Sequence, residues 1–457
     1  MKNAHIFRPS LVLSILFLSL IGLSPQSFAQ NKMDSIAKQQ VMSMLTNVKN
    51  AIKTDYYSAN PTFNGVDLET RFKTAEERLK KTEYLGDAFA VIAQVVVDLN
   101  DSHTMFYPPG ITTITEYGWR MKIVGDKAFI TGVMEKSDAE AKGLKIGDEV
   151  LKINGFHPNR TELWKMLYYY NIISPKVRLN LEVKSPSGEF RQLVINTKVT
   201  QLKKSVDLAN TFDLNAAFRE GDKLKNLDQH YFQNVEDTLV WKMPTFVYDP
   251  TQVSGLIGKA DGKKTLILDL RGNGGGYVVT LEELAGYFVD HETKIADLIG
   301  RKKMDPQMAK SKGSSVFKGK LIVLIDSRSA SASEIFARFM QLEKRAIVLG
   351  DVSAGAVMQS QGRGFLLNSD DAWGYGMNMT MADVFMSDGK SLEHVGVIPD
   401  EVVVPTGQDI AERRDPVMSR ALELSGHKID AAVAGKFFPP EKFIERTSNI
   451  AIHLVVE

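Results

Sequence analysis

Residues 324–340 read LIDSRSASASEIFARFM, with serines at 329, 331 and 333 between an apolar run and an amphipathic one. Two readings compete. Serine is a common helix N-cap, because its hydroxyl accepts an orphan N–H of the first turn. Serine on a strand–turn–helix corner also has the posture of a nucleophile, although G-x-S-x-G is absent. The hydroxyl of Ser331 would stand at the strand's carboxyl end. The next amide, from Ala332, would lie near a helix N-terminus, where developing negative charge is favoured. A second stretch, TLILDLRGNGGGYV at 265–278, runs a buried-type strand into Gly272, Gly274, Gly275 and Gly276. Lacking Cβ atoms, such a turn lets backbone amides point into a site. A phosphate cradle is the weaker reading, since no Gly-Lys-Ser/Thr follows and Tyr277 stands where G-x-G-x-x-G needs glycine. The stronger reading is an oxyanion hole.

The rest of the composition narrows the chemistry. The chain has no cysteine, which excludes disulfides, thiolate metal sites and cysteine nucleophiles. Covalent catalysis must then use Ser, Thr, Lys or a carboxylate. There are 8 histidines, and His103, in LNDSHT, is the candidate base that a serine needs at neutral pH. No H-E-x-x-H or other metal signature occurs, so neither metal nor cofactor is expected. The net charge is +1 with no basic run, which argues against nucleic acid as a partner.

Elements must position these groups. The chain has 457 residues, 44% of them apolar and 24% charged, a globular composition long enough for two or three domains. Three- and four-residue spacing predicts helices over 33–53 and 75–100, broken by Pro108, Pro109 and Gly110. Short β-like runs follow at 128–133, 149–153, 177–183 and 190–195, with a short helix ending at Gly143. Residues 201–235 are polar and irregular and read as a linker or docking arm. From Asp237 on, strands at 238–241, 265–270, 321–325 and 346–349 alternate with helices at 278–288 and 333–343, which predicts an α/β layer with parallel strands. The closing IAIHLVVE could complete a sheet edge. Arg271 and Asp269 are expected to brace the glycine turn, and His394 to face away from Glu393 if that stretch is extended.

The N-terminus reads as a secretory signal: Lys2 and Arg8, an apolar stretch over 11–23, then Ser27-Phe28-Ala29. Cleavage is expected after Ala29, which removes two cations and takes the net charge from +1 to −1. The apolar stretch is short for a membrane span, so the expected location is secreted or periplasmic, with an uncleaved anchor as the alternative.

Three resemblances connect these parts. SDAEAKGLKIGDEVLKINGFHP is similar to a PDZ domain of the bacterial protease type, with Asp138 where proline is usual. Such domains add an extended peptide to a sheet edge and often hold its C-terminal carboxylate. A spacer role is the alternative. LILDLRGNGGG followed by SRSASASEI, with SLEHVGVIPDEVVV behind, resembles the S41 family of serine peptidases, the tail-specific and C-terminal-processing proteases, over residues 75–424. The resemblance implies an α+β multidomain protein with a helical N-terminal region, a PDZ-like β domain and an α/β (ClpP/crotonase-like) catalytic core. The implied division is 1–29 signal peptide, 30–112 helical domain, 117–200 PDZ-like domain, 201–235 linker, 236–425 peptidase core and 426–457 extension. It also implies Ser331 as the nucleophile, with the amides of Gly276 and Ala332 as oxyanion donors. The processing proteases carry their base as a lysine in T-x-G-K-G-x-x-Q. This chain reads VSAGAVMQ at 352–359, with Ala356 in that place. The tricorn-like branch is the closer match. It implies His103 as base, Ser102 as its partner and Glu393 as the orienting carboxylate, acting on extended polypeptides. A binding protein for a peptide or an apolar ligand on a retired protease scaffold is the competing reading. Lys344 and Lys390 are substitute bases only if the fold brings them close. Oligomeric state is not encoded in any motif.

Overall fold

A computed structural model describes residues 32–109, 113–201, 229–367, 373–440 and 443. The expected signal peptide and the IAIHLVVE segment lie outside the described residues, as do 202–228 of the expected linker. The architecture is mixed α/β and multidomain.

Three helices open it: α1 (Ser35–Asp55), α2 (Leu68–Lys81) and α3 (Leu85–Val97). The spacing over 75–100 predicted one helix where there are two. Thr82 leaves the helix with ψ 132°, and the break lets the Phe72–Ala75–Leu79 stripe and the Val91–Ile92–Val95 stripe enter one core. Strand β1 (Met105–Tyr107) follows and carries Phe106 into that core.

A five-stranded antiparallel sheet comes next: β2 (Trp119–Val124), β3 (Lys127–Val133), β4 (Glu149–Ile153), β5 (Arg178–Lys184) and β6 (Phe190–Asn196), in sequence order. Helices α4 (Asp138–Ala141) and α5 (Leu163–Tyr168) lie beside it. Its core is its own, around Ile130, Leu144, Ile153 and Leu181. This unit docks on the loop that leads to the serines, at Asp326, and on a later turn, at Asp351. Lys122 pairs with Asp326 at 3.1 Å. Arg160 pairs with Asp351 at 3.0 Å, which also accepts the Gly125 N–H at 2.8 Å.

The largest core surrounds a six-stranded sheet ordered β7 (Tyr231–Val235), β8 (Thr238–Lys242), β9 (Thr265–Asp269), β12 (Lys320–Ile325), β13 (Ala346–Gly350) and β16 (Glu401–Val402). All neighbours are parallel except β7–β8. The sheet starts at Tyr231, inside the segment read as linker, because Phe232 stacks on Trp241. Both faces are covered. Leu266 and Leu268 point to one core and Ile267 to the other, which is why these strands read as unbroken apolar runs. Helices α6 (Val278–Ala285) and α7 (Ala332–Leu342) pack on one face and α8 (Pro416–Leu424) on the other. A second sheet joins β10 (Thr293–Gly300), β11 (Gln307–Ala309), β14 (Met358–Leu367) and β15 (Trp373–Met386), and β1 pairs with β15. That pairing brings the 101–104 turn, just before β1, to the core.

Candidate active site

The carboxyl ends of two neighbouring parallel strands, β9 and β12, release the glycine turn and the serine turn side by side. Ser329 and Ser333 are fully buried. The Ser329 hydroxyl donates to the Leu270 carbonyl at 2.9 Å and accepts the Asp326 N–H at 2.9 Å. The Ser333 hydroxyl donates to the Asn273 carbonyl at 2.9 Å. The outer serines therefore staple one turn to the other, and Ser331 between them is half-buried. Ser331 has φ 53° and ψ −118°, a left-handed conformation that a non-glycine residue holds only when its surroundings enforce it. It also stands at the N-cap position of α7. Glu334 reaches back to the Ser331 N–H at 3.0 Å, the Glu half of a capping box.

Two glycines are obligatory. A Cβ on Gly275 would lie 2.7 Å from Ser331 Cβ and 3.0 Å from Ala332 N. One on Gly276, at φ 137°, would lie 2.5 Å from the Phe246 carbonyl carbon and Val247 N. The glycine turn is thus pressed against the serine turn. The Gly276 and Ala332 amides, each following a residue of this contact, donate to no acceptor among the described residues. Arg271 braces the turn from behind, bonded to Asp269 at 2.8 Å and Asp415 at 2.7 Å.

The second half of the site comes from far away in sequence. Asp101 accepts the N–H groups of His103 (3.0 Å) and Thr104 (2.7 Å) and the hydroxyls of Tyr56 (2.9 Å) and Thr380 (2.7 Å), which fixes the turn carrying Ser102 and His103. Ser102 donates its N–H to Glu393 Oε1 at 2.7 Å and its hydroxyl to Glu393 Oε2 at 2.9 Å. Its oxygen lies 2.7 Å from His103 Nδ1. Because the Ser102 proton is spent on the carboxylate, the Ser102–His103 bond requires the proton on Nδ1. Nε2 is then left with its lone pair. Burial pushes the His103 pKa down to about 4, so the ring is neutral near pH 7. Burial raises that of Glu393.

The two halves meet at one peptide unit. The Ala356 carbonyl accepts the Ser331 N–H at 2.9 Å, and the adjoining Val357 N–H donates to Glu393 Oε2 at 2.8 Å. No hydrogen bond joins Ser331 Oγ to the His103 ring among the described residues.

His394 departs from expectation. It sits at φ 61° in a turn, and its Nε2 reaches the Asn100 carbonyl at 2.7 Å and Glu393 Oε1 at 3.6 Å. Lys344 and Lys390 are exposed. Sequence reasoning passed over Asn273, whose side chain receives the Gly275 N–H at 2.9 Å, and Glu334, whose S-x-x-E spacing after Ser331 was a readable signal. No group of three or more acidic or histidine side chains suited to a metal ion occurs among the described residues.

Comparison with known proteins shows what the chain is similar to. Residues 238–403 match the sequence profile of peptidase family S41. A tail-specific protease of Haemophilus influenzae is 32% identical over 168 residues, 35% of this chain and 24% of that protein. The chloroplastic carboxyl-terminal-processing peptidase 1 of Arabidopsis thaliana is 24% identical over 348 residues, 71% of this chain and 64% of that protein. The chain thus spans a quarter of the first relative's length and just under two-thirds of the second's. The crystal structure of mature CPAF shares the fold with TM-score 0.61 at 16% identity, covering 82% of this chain and 95% of that one. Residues 238–403, which carry the glycine turn, the serine turn and Glu393, are the part of the chain that matches peptidase family S41.

Proposed function

We propose that the protein is a serine endopeptidase of the tricorn-like kind, hydrolysing peptide bonds of extended polypeptides. Ser331 Oγ attacks the carbonyl carbon and its proton passes to His103 Nε2. The tetrahedral oxyanion is held by the Gly276 and Ala332 N–H groups. Collapse expels the amine, which takes the proton from His103, and water then hydrolyses the acyl-enzyme by the reverse route. Glu393, through Ser102, orients the imidazole and stabilises the imidazolium.

The observation that carries the proposal is the Glu393–Ser102–His103 chain, whose hydrogen bonds leave Nε2 as the free base. It provides a base without the lysine that Ala356 replaces, and so removes the main ground for a retired binding scaffold. The 119–196 sheet is proposed as the PDZ-like module that takes a polypeptide C-terminus along its edge. The protein is proposed to be exported on the strength of residues 1–29. No helix among the described residues is long and apolar enough to cross a membrane.

The test is a fluorophosphonate probe on the chain from residue 30. Wild type should label, while Ser331→Ala should not, and peptide hydrolysis should fall at least ~10³-fold in that variant. A folded wild type that neither labels nor cleaves peptides would return the scaffold reading.

A further inference from the structure

Glu334 is fully buried in the first turn of α7, yet none of its hydrogen-bond partners is a cation. Its carboxylate accepts from Ser353 Oγ at 2.6 Å, Gly355 N–H at 2.7 Å, Ala356 N–H at 2.9 Å and Ser331 N–H at 3.0 Å. A capping box asks a glutamate for the last of these only. The other three belong to a turn that supplies no helix end. Burial pushes the carboxyl up to about 7, against the pull of these donors.

The donors come from two segments. One is the candidate nucleophile's own backbone. The other is the 353–356 turn, whose next residue, Val357, holds Glu393. That turn has no slack. Ser353 Oγ also accepts the Val397 N–H at 2.6 Å, and the Gly355 carbonyl accepts the His394 N–H at 2.7 Å. A Cβ on Gly355, at φ 70°, would lie 3.1 Å from the backbone of 394–396. The turn is therefore gripped between Glu334 on one side and the segment bearing Glu393 on the other.

We propose that Glu334 is a positioning residue, which locks the 353–357 turn to the Ser331 backbone and so sets the reach between the nucleophile and the Glu393–Ser102–His103 relay. The inference rests on the roles proposed above for Ser331 and His103. Ala356 is central to it. Where the processing proteases place a lysine, this chain offers only backbone, and both polar groups of Ala356 are committed, N–H to Glu334 and carbonyl to Ser331. The strained Ser331 conformation needs such enforcement. The chemistry of the four donors also singles out glutamate. A glutamine would turn an NH₂ group toward one donor pair, and an apolar side chain would leave buried N–H groups unpaired.

The test compares wild type, Glu334→Gln and Ser353→Ala by kcat and KM on a peptide substrate, by fluorophosphonate labelling rate, and by urea unfolding. The expected result for Glu334→Gln is a fall of about 10²-fold in kcat and labelling rate, with KM held within about threefold. Ser353→Ala removes one donor and should lower kcat about tenfold with the same split. A brace that merely supports the fold would shift the urea midpoint and leave kcat per labelled site unchanged, and that outcome overturns the proposal. If Glu334→Gln does not fold, Ser353→Ala decides by the same criterion. A labelled wild type with an unimpaired Glu334→Gln overturns this inference alone. A wild type that neither labels nor cleaves overturns the proposed function with it.

Discussion

The two halves of the site are made of different materials. The half proposed to carry the nucleophile is backbone: two adjacent parallel strands deliver two turns, and glycines and buried serines press them together within about 70 residues of sequence. The half proposed to carry the base is side chain: a carboxylate, a hydroxyl and an imidazole, with Ser102 and Glu393 separated by 291 positions. Backbone geometry tolerates almost no substitution, because any Cβ collides with main chain. A side-chain relay fails in steps, because each member can be removed without moving the others.

That contrast can be broken by experiment. The largest effect is expected from Gly275→Ala, whose new methyl would displace Ser331 and the Ala332 amide together. Activity should fall by more than ~10³-fold, read as kcat/KM, and a milder loss would mean the two turns are not locked. Next comes His103→Gln, expected to cost about 10³-fold in kcat with the fold intact. Near-normal turnover would place the base elsewhere and end the comparison. Ser102→Ala cuts the relay but leaves the imidazole in place, so a fall of about 10²-fold is expected. A loss equal to that of His103→Gln would show that Ser102 acts by more than orientation.

The smallest effect concerns pH, where the halves have opposite signs. His103 has its pKa pushed from 6.5 to about 4 by burial. The unfolded chain takes that proton first, so this contribution is present above about 6.5 and is lost as pH falls toward 4. Glu334 has its pKa pushed from 4.5 to about 7, again by burial. The folded chain takes that proton first, so this contribution is full below about 4.5 and is lost as pH rises through 7. Between pH 6.5 and 4.5, His103→Gln should flatten the acid loss of thermal stability and Glu334→Gln should steepen it, each by about 2 °C. Shifts of the same sign in both variants would show that burial is not what perturbs the two groups.

The nucleophile half was the more legible in sequence for the same reason that it is rigid. Its requirements are local, so TLILDLRGNGGG and SRSASASEI carry them as contiguous text. What the text could not say was which serine did what, because burial of Ser329 and Ser333 depends on the neighbouring turn. In the base half, His103 and Glu393 could be nominated from their motifs, but the bond that unites them through Ser102 is tertiary. The expected orientation of His394 fails because the residue turns at a left-handed φ, with its N–H on the Gly355 carbonyl, which its residue type does not announce. The split of 75–100 into two helices was likewise a packing outcome, since spacing alone does not reveal that two stripes share a core.

The 291-residue span between Ser102 and Glu393 also bears on when the site can exist. A growing chain carries Ser102 and His103 long before the carboxylate that accepts from Ser102 has been made. Closing so long a loop is entropically late, after the local contacts of each unit have formed. Formation of the Glu393–Ser102–His103 hydrogen bonds is thus tied to completion of the core around them. On the proposed reading of the site, the distance in sequence acts as a timing safeguard, which withholds reactivity until both halves are folded.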